Sequence, residues 1–372
     1  YYSHSAPVNR RREVLMNYAL IMAGGAGTRL WPLSRERLPK PALRLYSDQS
    51  MFQIAVERLS PLFAPEQILV IAGAEHIGVL AEQVPDIPAE NYIVEPQGRG
   101  TAPAIGLAAV HLAARDPEAA MVVLTADHHI GNTAVFRSAI AAALDIAQND
   151  YLVTLGITPS WPSTDYGYIE QAEPLGALFG GLKAYRAARF VEKPNENVAK
   201  KMLALGNYAW NSGMFIWKVS AILAEFRAQM PELYDVLMKI GEELKTGNYQ
   251  QILNALWPTI AKQTIDYGIM EHARRVVVVP VDMDWMDVGT WTSLKALLPQ
   301  DPDGNSTRGE VLLEDSHGSL ILGGERLIAG IGLDDLIVVD TPDALLICPK
   351  NQVGEVRKLV ARLKDSGRTD LV

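Results

Sequence analysis

Six short apolar runs recur through the first two-thirds of the chain: Tyr18 to Met22, Ile68 to Ala72, Met121 to Thr125, Leu152 to Ile157, Ala187 to Val191 and Val276 to Val281. A run that is apolar on successive residues has no polar face, so it suits a strand covered on both sides. Between the runs, Met51 to Leu59, Ala102 to Ala114, Val135 to Gln148 and Val219 to Met230 place apolar residues at three- and four-residue spacing, the pattern of helices lying on a sheet. This alternation predicts an α/β fold. Pro231 should stop or kink the helix that ends at Met230.

Beyond a Pro, Asp, Gly and Asn cluster at Pro299 to Asn305, which reads as a linker, the texture changes. Val311 to Leu313, Ser319 to Leu322, Leu327 to Ala329, Leu336 to Val339 and Ala344 to Cys348 are strand-like runs, and Val353 to Leu363 has helical spacing. The expected division is therefore a tag or loose tail over residues 1–16, a large domain over 17–298, and a small β unit with a terminal helix over 299–372. The tail carries Arg10 to Arg12 just before Met16 and has no apolar signal-peptide core. At 372 residues, surface-to-volume scaling favours one large core with an appendage, or two domains.

Charge narrows the functional classes. With 34 basic against 43 acidic side chains, net −9, the chain lacks the cation excess that a nucleic-acid coat protein uses to release counterions. A single cysteine, Cys348, excludes an intrachain disulfide and a cysteine metal cluster, and fits a cytoplasmic setting. No apolar stretch approaches the roughly 20 residues of a membrane helix.

The run Tyr18 to Met22 ends in Ala23-Gly24-Gly25-Ala26-Gly27-Thr28-Arg29. Glycines allow close backbone approach, so such a loop can present amides to phosphate oxygens, with Arg29 adding a cation. A plain tight turn is the alternative. The dinucleotide fingerprint does not fit, because Pro32 interrupts the following segment, and a P-loop would need a Lys-Ser or Lys-Thr pair. Lys40 lies between Pro39 and Pro41 on stiffened backbone, either a phosphate clamp or an ordinary surface lysine. Asp127 follows a predicted strand, where α/β sheets collect ligands, and is a candidate Mg²⁺ ligand or a turn residue. His128 and His129 do not make a zinc site, since adjacent side chains rarely share a metal and no third soft ligand is evident. Asp282 and Asp284 read as an exposed strand face. Asp287 stands at a strand-to-helix junction and offers a second carboxylate for Mg²⁺. Glu192 and Lys193, the latter before Pro194, could hold a sugar hydroxyl and a phosphate. Trp210 to Phe215 offers Asn211 among aromatics, a sugar-binding combination or a core cluster. No covalent nucleophile with a base partner is evident.

Seven ordered segments, MAGGAGTRLWPLSRERLPKP, VEPQGRGTAPAIGLAA, VLTADHHI, DYGYIE, FVEKP, WNSGMF and DWMDVGTW, resemble the nucleotide-sugar pyrophosphorylases, above all their GDP-mannose-forming members. The resemblance spans Tyr18 to Trp291, and GLDDLIVVDTPDALLICPK is similar to the same family's C-terminal part. It implies a Rossmann-like nucleotidyltransferase domain with a mixed, mostly parallel sheet, and a small C-terminal unit like a short left-handed β-helix that supports homodimers. The implied reaction transfers GMP from GTP to α-D-mannose 1-phosphate with Mg²⁺, and involves neither nucleic acid nor membrane.

The resemblance also implies residue roles. Ala23, Gly24, Gly25, Gly27 and Thr28 would form the phosphate loop, and Arg29 and Lys40 would stabilise the leaving diphosphate. Lys193 would grip the sugar phosphate, and Asp127 and Asp287 would hold Mg²⁺. Glu95, Arg99, Thr101 and Ala102 fall where the family surrounds the base, and Gly167, Glu192 and Asn211 where it binds the sugar. Two positions depart from the pattern: Pro41-Ala42 follows Lys40 where glutamine and phenylalanine are usual, and Asp165 replaces a common glycine before Tyr166. The chain ends too early for the isomerase domain fused to some members, so a single activity is expected. The rival readings are a relative using another sugar or nucleotide, and a sensor that binds without turnover.

Overall fold

The computed structural model describes residues 16–25 and 27–372, so all of the expected tail except Met16 lies outside the described residues. In chain order the strands up to the small C-terminal unit are β1 (Asn17–Met22), β2 (Ile68–Gly73), β3 (Tyr92–Glu95), β4 (Ala120–Thr125), β5 (His128–Ile130), β6 (Leu152–Ile157), β7 (Tyr168–Phe179), β8 (Leu182–Val191), β9 (Tyr208–Lys218), β10 (Val276–Val281) and β11 (Trp285–Asp287). The helices among them are α1 (Met51–Glu57), α2 (Ala74–Gln83), α3 (Thr101–Arg115), α4 (Thr133–Ala147), α5 (Glu196–Leu205), α6 (Val219–Gln229), α7 (Pro231–Glu242), α8 (Tyr249–Leu256) and α9 (Trp291–Leu297). As expected, Pro231 ends one helix and begins the next, at a position where its missing N–H costs nothing.

Nine strands form one sheet in the order β3-β2-β1-β4-β9-β6-β10-β8-β7. The first four are mutually parallel, and β6 pairs parallel with β10. Only β8 and β9 run against the rest, which makes the sheet mixed and mostly parallel in direction. Side chains alternate across it: Ala19 and Ile21 of β1 enter one core with Phe52, Leu80, Phe136 and Met202, while Leu20 enters the other with Ile105, Phe226, Leu237 and Leu253. One face is thus covered by α1, α2, α4 and α5, and the other by α3, α6, α7 and α8. The double cover is why β1, β2, β4, β6 and β10 read as continuous apolar runs. The run Ala187 to Val191, expected to be covered on both sides, has no buried residue, because β8 lies next to the edge strand β7.

After α9 the chain forms β12 (Ser306–Arg308), β13 (Val311–Glu314), β14 (Leu320–Leu322), β15 (Ile328–Ile331), β16 (Leu336–Asp340) and β17 (Leu345–Pro349), followed by α10 (Val356–Asp365). Ser306, Leu320 and Ile337 stack in parallel register, as do Val311 and Ile328, so the chain coils as a short β-helix closed by antiparallel β17. The segment read as a linker is a bonded turn. The Asn305 amide donates to Asp301 at 2.8 Å, its side chain donates to the Ser316 carbonyl at 2.7 Å, and the residue is 2% exposed.

A third core joins this unit to the large domain. Leu30, Trp31, Leu43 and Leu45 pack with Trp291 and Leu294 against Leu320, Ile337, Val356 and Val360. The Trp31 indole also donates to the Leu371 carbonyl at 2.7 Å. The chain just after the glycine loop is thereby gripped from behind by the C-terminal coil.

Candidate active site

At the carboxyl end of β1, Ala23 is buried and its amide donates to the Ile71 carbonyl, whereas Gly24 and Gly25 are exposed. A Cβ at either would meet nothing, and Gly25 has φ +94°, so this stretch is bare backbone lining a cleft. Gly27 has a different task. At φ +60° it turns the chain, and a Cβ there would stand 2.6 Å from the Lys40 Cβ. Its missing side chain is the space into which Lys40 packs. The Ser34 hydroxyl locks the turn by donating to the Gly27 carbonyl at 2.7 Å. Thr28 and Arg29 open a single helical turn, Thr28–Leu30, with the Arg29 side chain exposed. Its guanidinium lies 3.3 Å from where a Gly289 Cβ would sit, on the same side as Asp287.

Lys40 is 6% exposed in a turn flanked by its two prolines. Its ammonium donates to Asp127 at 2.7 Å and to Asp287 at 3.4 Å. The two aspartates, 160 positions apart in sequence, meet because β5 pairs antiparallel with β11, setting Asp287 opposite His128. Burial works against the charge on Asp127, but the Lys40 ammonium beside it, with help from His128, holds its carboxyl well below the usual range. Ligand atoms of Asp127, His128 and Asp287 lie within 4.8 Å of one another. His128 is 7% exposed, and burial keeps its imidazole below its ordinary value against the pull of both carboxylates. A neutral ring there can donate or accept, and its buried Nδ1 has no partner among the described residues. Adjacent His129 points elsewhere, 3.8 Å from Asp284. Asp282 and Asp284 are exposed, as their spacing suggested, but both lie in the short connection between β10 and β11 rather than on a strand, Asp284 at φ +52°.

Beside this cluster a cavity of about 350 Å³ is lined by Gly24, Gly25, Pro41, Glu95, Thr101, Asp127 and Lys262. Glu95, at the end of β3, accepts the Arg99 amide at 2.9 Å, and burial raises its carboxyl above the ordinary range. The Arg99 guanidinium is tied to the Gln97 side chain and the Pro258 carbonyl. Ala102 is fully buried and its amide donates to the Gln263 carbonyl. Neither residue lines the cavity; Gly98, Gly100 and Thr101 do, and Gly100, at φ +91°, leaves room for Gln263. The Thr101 hydroxyl accepts the Ile265 amide at 2.9 Å.

A second cluster gathers Gly167, Glu192, Lys193 and Asn211. The Asn211 amide donates to the Gly167 carbonyl at 2.8 Å, and a Cβ on Gly167 would strike Glu192 at 2.4 Å. Lys193, in left-handed backbone at φ +46°, pairs with Glu192 at 2.6 Å and is otherwise largely exposed. The Asn211 side chain donates to Asp266 at 2.7 Å. Asp266 begins a π-helical turn, Asp266–Met270, and is held above the usual carboxylate range by burial and by Glu192. A wall of rings links the two clusters: Trp161 and Tyr166 pack on Trp210, Tyr166 on Trp285, and Trp285 on His128, with centroids 4.6 to 5.2 Å apart. Trp161, Tyr166 and Arg29 line a cavity of about 540 Å³ whose rim includes Asp165 and Asp287. Burial, with Asp287 and Asp165 nearby, pushes the Tyr166 hydroxyl up to about 12, so it remains a donor. The indole N–H groups of Trp210 and Trp285 are buried without a partner among the described residues.

The structure thus brings together Lys40, Asp127 and Asp287 in one cluster and Gly167, Glu192, Lys193 and Asn211 in another. Sequence reasoning missed Asp266, His128 as a neighbour of both carboxylates, Lys262 and Trp285. The motifs DWMDVGTW and VLTADHHI contained two of these, but their pairing was not legible before the strands were. A glycine loop, a lysine between two carboxylates and an adjoining polar and aromatic pocket are groups suited to holding phosphate beside a polar ligand.

Comparison with known proteins defines the class. The family model described as "Nucleotidyl transferase" matches residues 18–303, and one described as "MannoseP isomerase/GMP-like beta-helix domain" matches residues 309–363. The chain belongs to the nucleotidyl transferase family. Mannose-1-phosphate guanylyltransferase of Escherichia coli is 39% identical over 354 residues, 94% of this chain and 74% of that protein. Alginate biosynthesis protein AlgA of Pseudomonas aeruginosa is 37% identical over 356 residues, 94% of this chain and 73% of that one. A crystal structure described as mannose-1-phosphate geranyltransferase from Thermus thermophilus matches with a TM-score of 0.85 at 35% identity, over 94% of this chain and 100% of that one.

Proposed function

We infer that the protein is a mannose-1-phosphate guanylyltransferase: it transfers GMP from GTP to α-D-mannose 1-phosphate, giving GDP-mannose and diphosphate. The observation that carries this reading is the Lys40, Asp127 and Asp287 cluster set between a glycine-loop cavity and an Asn211 cluster. A phosphate oxygen of the sugar phosphate attacks the α-phosphorus of GTP, the bond to the β-phosphate bridging oxygen breaks, and diphosphate leaves with its electron pair. Both reactants are anions, so catalysis consists of holding them in line and neutralising charge.

Ala23, Gly24, Gly25, Gly27 and Thr28 form the loop along the triphosphate, and Arg29 and Lys40 face the departing diphosphate. Glu95 and Thr101 receive the base, with Arg99 and Ala102 holding the adjacent chain to Pro258 and Gln263. Gly167 leaves room for Glu192, and Glu192 with Asn211 accepts and donates to sugar hydroxyls. Lys193 neutralises the attacking phosphate.

Two carboxylates and substrate phosphates are a hard oxygen donor set that fits Mg²⁺, with Asp127 and Asp287 as its protein ligands. Such an ion supplies charge neutralisation and orientation of phosphate oxygens when bound.

The same reading includes a homodimer, for which the exposed apolar Leu345, Ile347 and Leu359 of the C-terminal unit are the support, and a cytoplasmic setting, for which unpaired Cys348 is. No described helix is long and apolar enough to cross a membrane.

The test is diphosphate release with Mg²⁺ over a grid of GTP, ATP, UTP and dTTP against mannose, glucose and N-acetylglucosamine 1-phosphates. Release confined to GTP with mannose 1-phosphate is expected. Another productive pair moves the specificity, with Asp165 and Pro41 the first residues to exchange. Binding without turnover would replace the enzyme with a sensor.

A further inference from the structure

The gap between the two carboxylates assigned to Mg²⁺ is spanned by a side chain assigned to the diphosphate. Lys40 Nζ stands 2.7 Å from Asp127 Oδ2 and 3.4 Å from Asp287 Oδ1, and its side chain is 8% exposed. Among the described residues these are its only side-chain hydrogen-bond partners. Mg²⁺ takes carboxylate oxygens at about 2.1 Å, so an ion bridging this pair and the ammonium cannot share the gap, and their like charges repel. The base of the lysine cannot retreat. Its backbone is set by Pro39 and Pro41, and its Cβ packs against Gly27. Only the far end of the four-carbon stem can swing, and the open space adjoining Asp127 and Pro41 is the cavity lined by Gly24 and Gly25.

We propose that Lys40 is the resident counter-ion of the metal carboxylates: it keeps divalent metal out of the nucleotide-free enzyme and gives up its place only when a nucleoside triphosphate offers its ammonium new oxygens. Metal and nucleotide then load as one event, and the cation that leaves the carboxylates is delivered to the phosphates that need it. This rests on the reading of Asp127 and Asp287 as metal ligands and adds to it the order of loading.

The test is Mn²⁺ binding to the full chain without nucleotide, followed by the EPR signal of free Mn²⁺. Lys40→Met, which keeps the stem and removes the charge, should bind Mn²⁺ about tenfold or more tightly than the unaltered protein, while Lys40→Arg, which keeps a cation, should not. The gain should vanish in Lys40→Met/Asp287→Asn. Should Lys40→Met bind no more tightly than the unaltered protein, although Asp287→Asn weakens Mn²⁺ binding with a non-reacting GTP analogue, the counter-ion role is overturned and the metal assignment stands. Insensitivity of analogue-supported binding to Asp287→Asn overturns the metal assignment, and the proposal with it. Should Lys40→Met fold poorly, strong nucleotide-free Mn²⁺ binding by the unaltered protein, lost in Asp287→Asn, overturns the counter-ion role without that variant.

Discussion

On the side of the cleft that holds the glycine loop, the working groups come from the carboxyl ends of neighbouring parallel strands: Gly24 and Gly25 after β1, Glu95 at the end of β3 and Asp127 after β4. On the side that holds Asn211 they come from β8, β9, the turn before β7 and the π-helical turn at Asp266, where strands run in both directions. The first side is mostly bare backbone with a buried lysine whose base is held by its flanking prolines and Gly27. The second is a hydrogen-bonded set of side chains under indole and phenol rings. A triphosphate presents repeated charge in one geometry, which backbone amides and nearby cations can match, and α/β sheets offer that edge ready-made. A sugar presents hydroxyls in a pattern that only particular side chains can match, and the side proposed for it is assembled from the irregular half of the sheet.

That contrast can be broken most severely at its hinge. Asp287→Asn removes a carboxylate from the Lys40 pair and from the proposed metal site without changing volume, and should lower kcat roughly 10²- to 10³-fold with the thermal midpoint nearly unchanged. Near-normal turnover at limiting Mg²⁺ would remove Asp287 from the site.

Next is Gly27→Ala, which adds a methyl 2.6 Å from the Lys40 Cβ at a φ of +60°. Displacing the lysine base should reduce kcat roughly 10²-fold, whereas Gly24→Ala, with nothing within 4 Å, should cost far less. Equal losses in steady-state rates would mean that close packing at Gly27 does not position Lys40.

Lys193→Ala probes the other side. Its ammonium is mostly exposed and pairs with Glu192, so the expected result is about a tenfold rise in KM for the sugar phosphate with little change for GTP. A matched rise for both substrates would move Lys193 out of the sugar half.

The smallest effect concerns Asp266, whose carboxyl is raised by burial and by Glu192. A raised carboxyl binds its proton more tightly in the folded state, so folding stability falls as pH rises from the ordinary aspartate range through the raised value. Asp266→Asn removes that fall while an amide oxygen can still accept from Asn211. Its midpoint relative to the unaltered protein should therefore improve by ~1–2 °C on going from pH 4 to pH 8, with a modest rise in sugar KM. A pH-independent difference would show that Asp266 does not carry its proton differently in the folded chain.

Much of the nucleotide side was legible because local rules act on contiguous residues. Three glycines after an apolar run, a lysine between prolines and an aspartate beyond a strand each announce backbone conformation and position within a few residues. On the side proposed for the sugar, Glu192, Lys193 and Asn211 were readable as candidates from residue type and setting, and Gly167 only through family resemblance. Asp266, which orients Asn211, lies in a segment with no motif, and Trp285 became visible only once β11 was paired with β5. The Pro299 to Asn305 segment shows the reverse error. Its composition reads as a loose linker, but Asp301 and Asn305 use those same turn-forming side chains to bond it shut.

The sequence alone determined the doubly covered sheet, the β-rich C-terminal unit, the glycine loop and the identity of the charged residues, because periodicity, chain stiffness and side-chain chemistry are properties of neighbours along the chain. Tertiary structure alone decided that Lys40 should stand between Asp127 and Asp287, that His128 should be buried beside them, and that the C-terminal coil should grip Trp31. Those outcomes depend on which distant segments share a core and a strand ladder, and Lys40 meets its two carboxylates only where the fold brings those segments together.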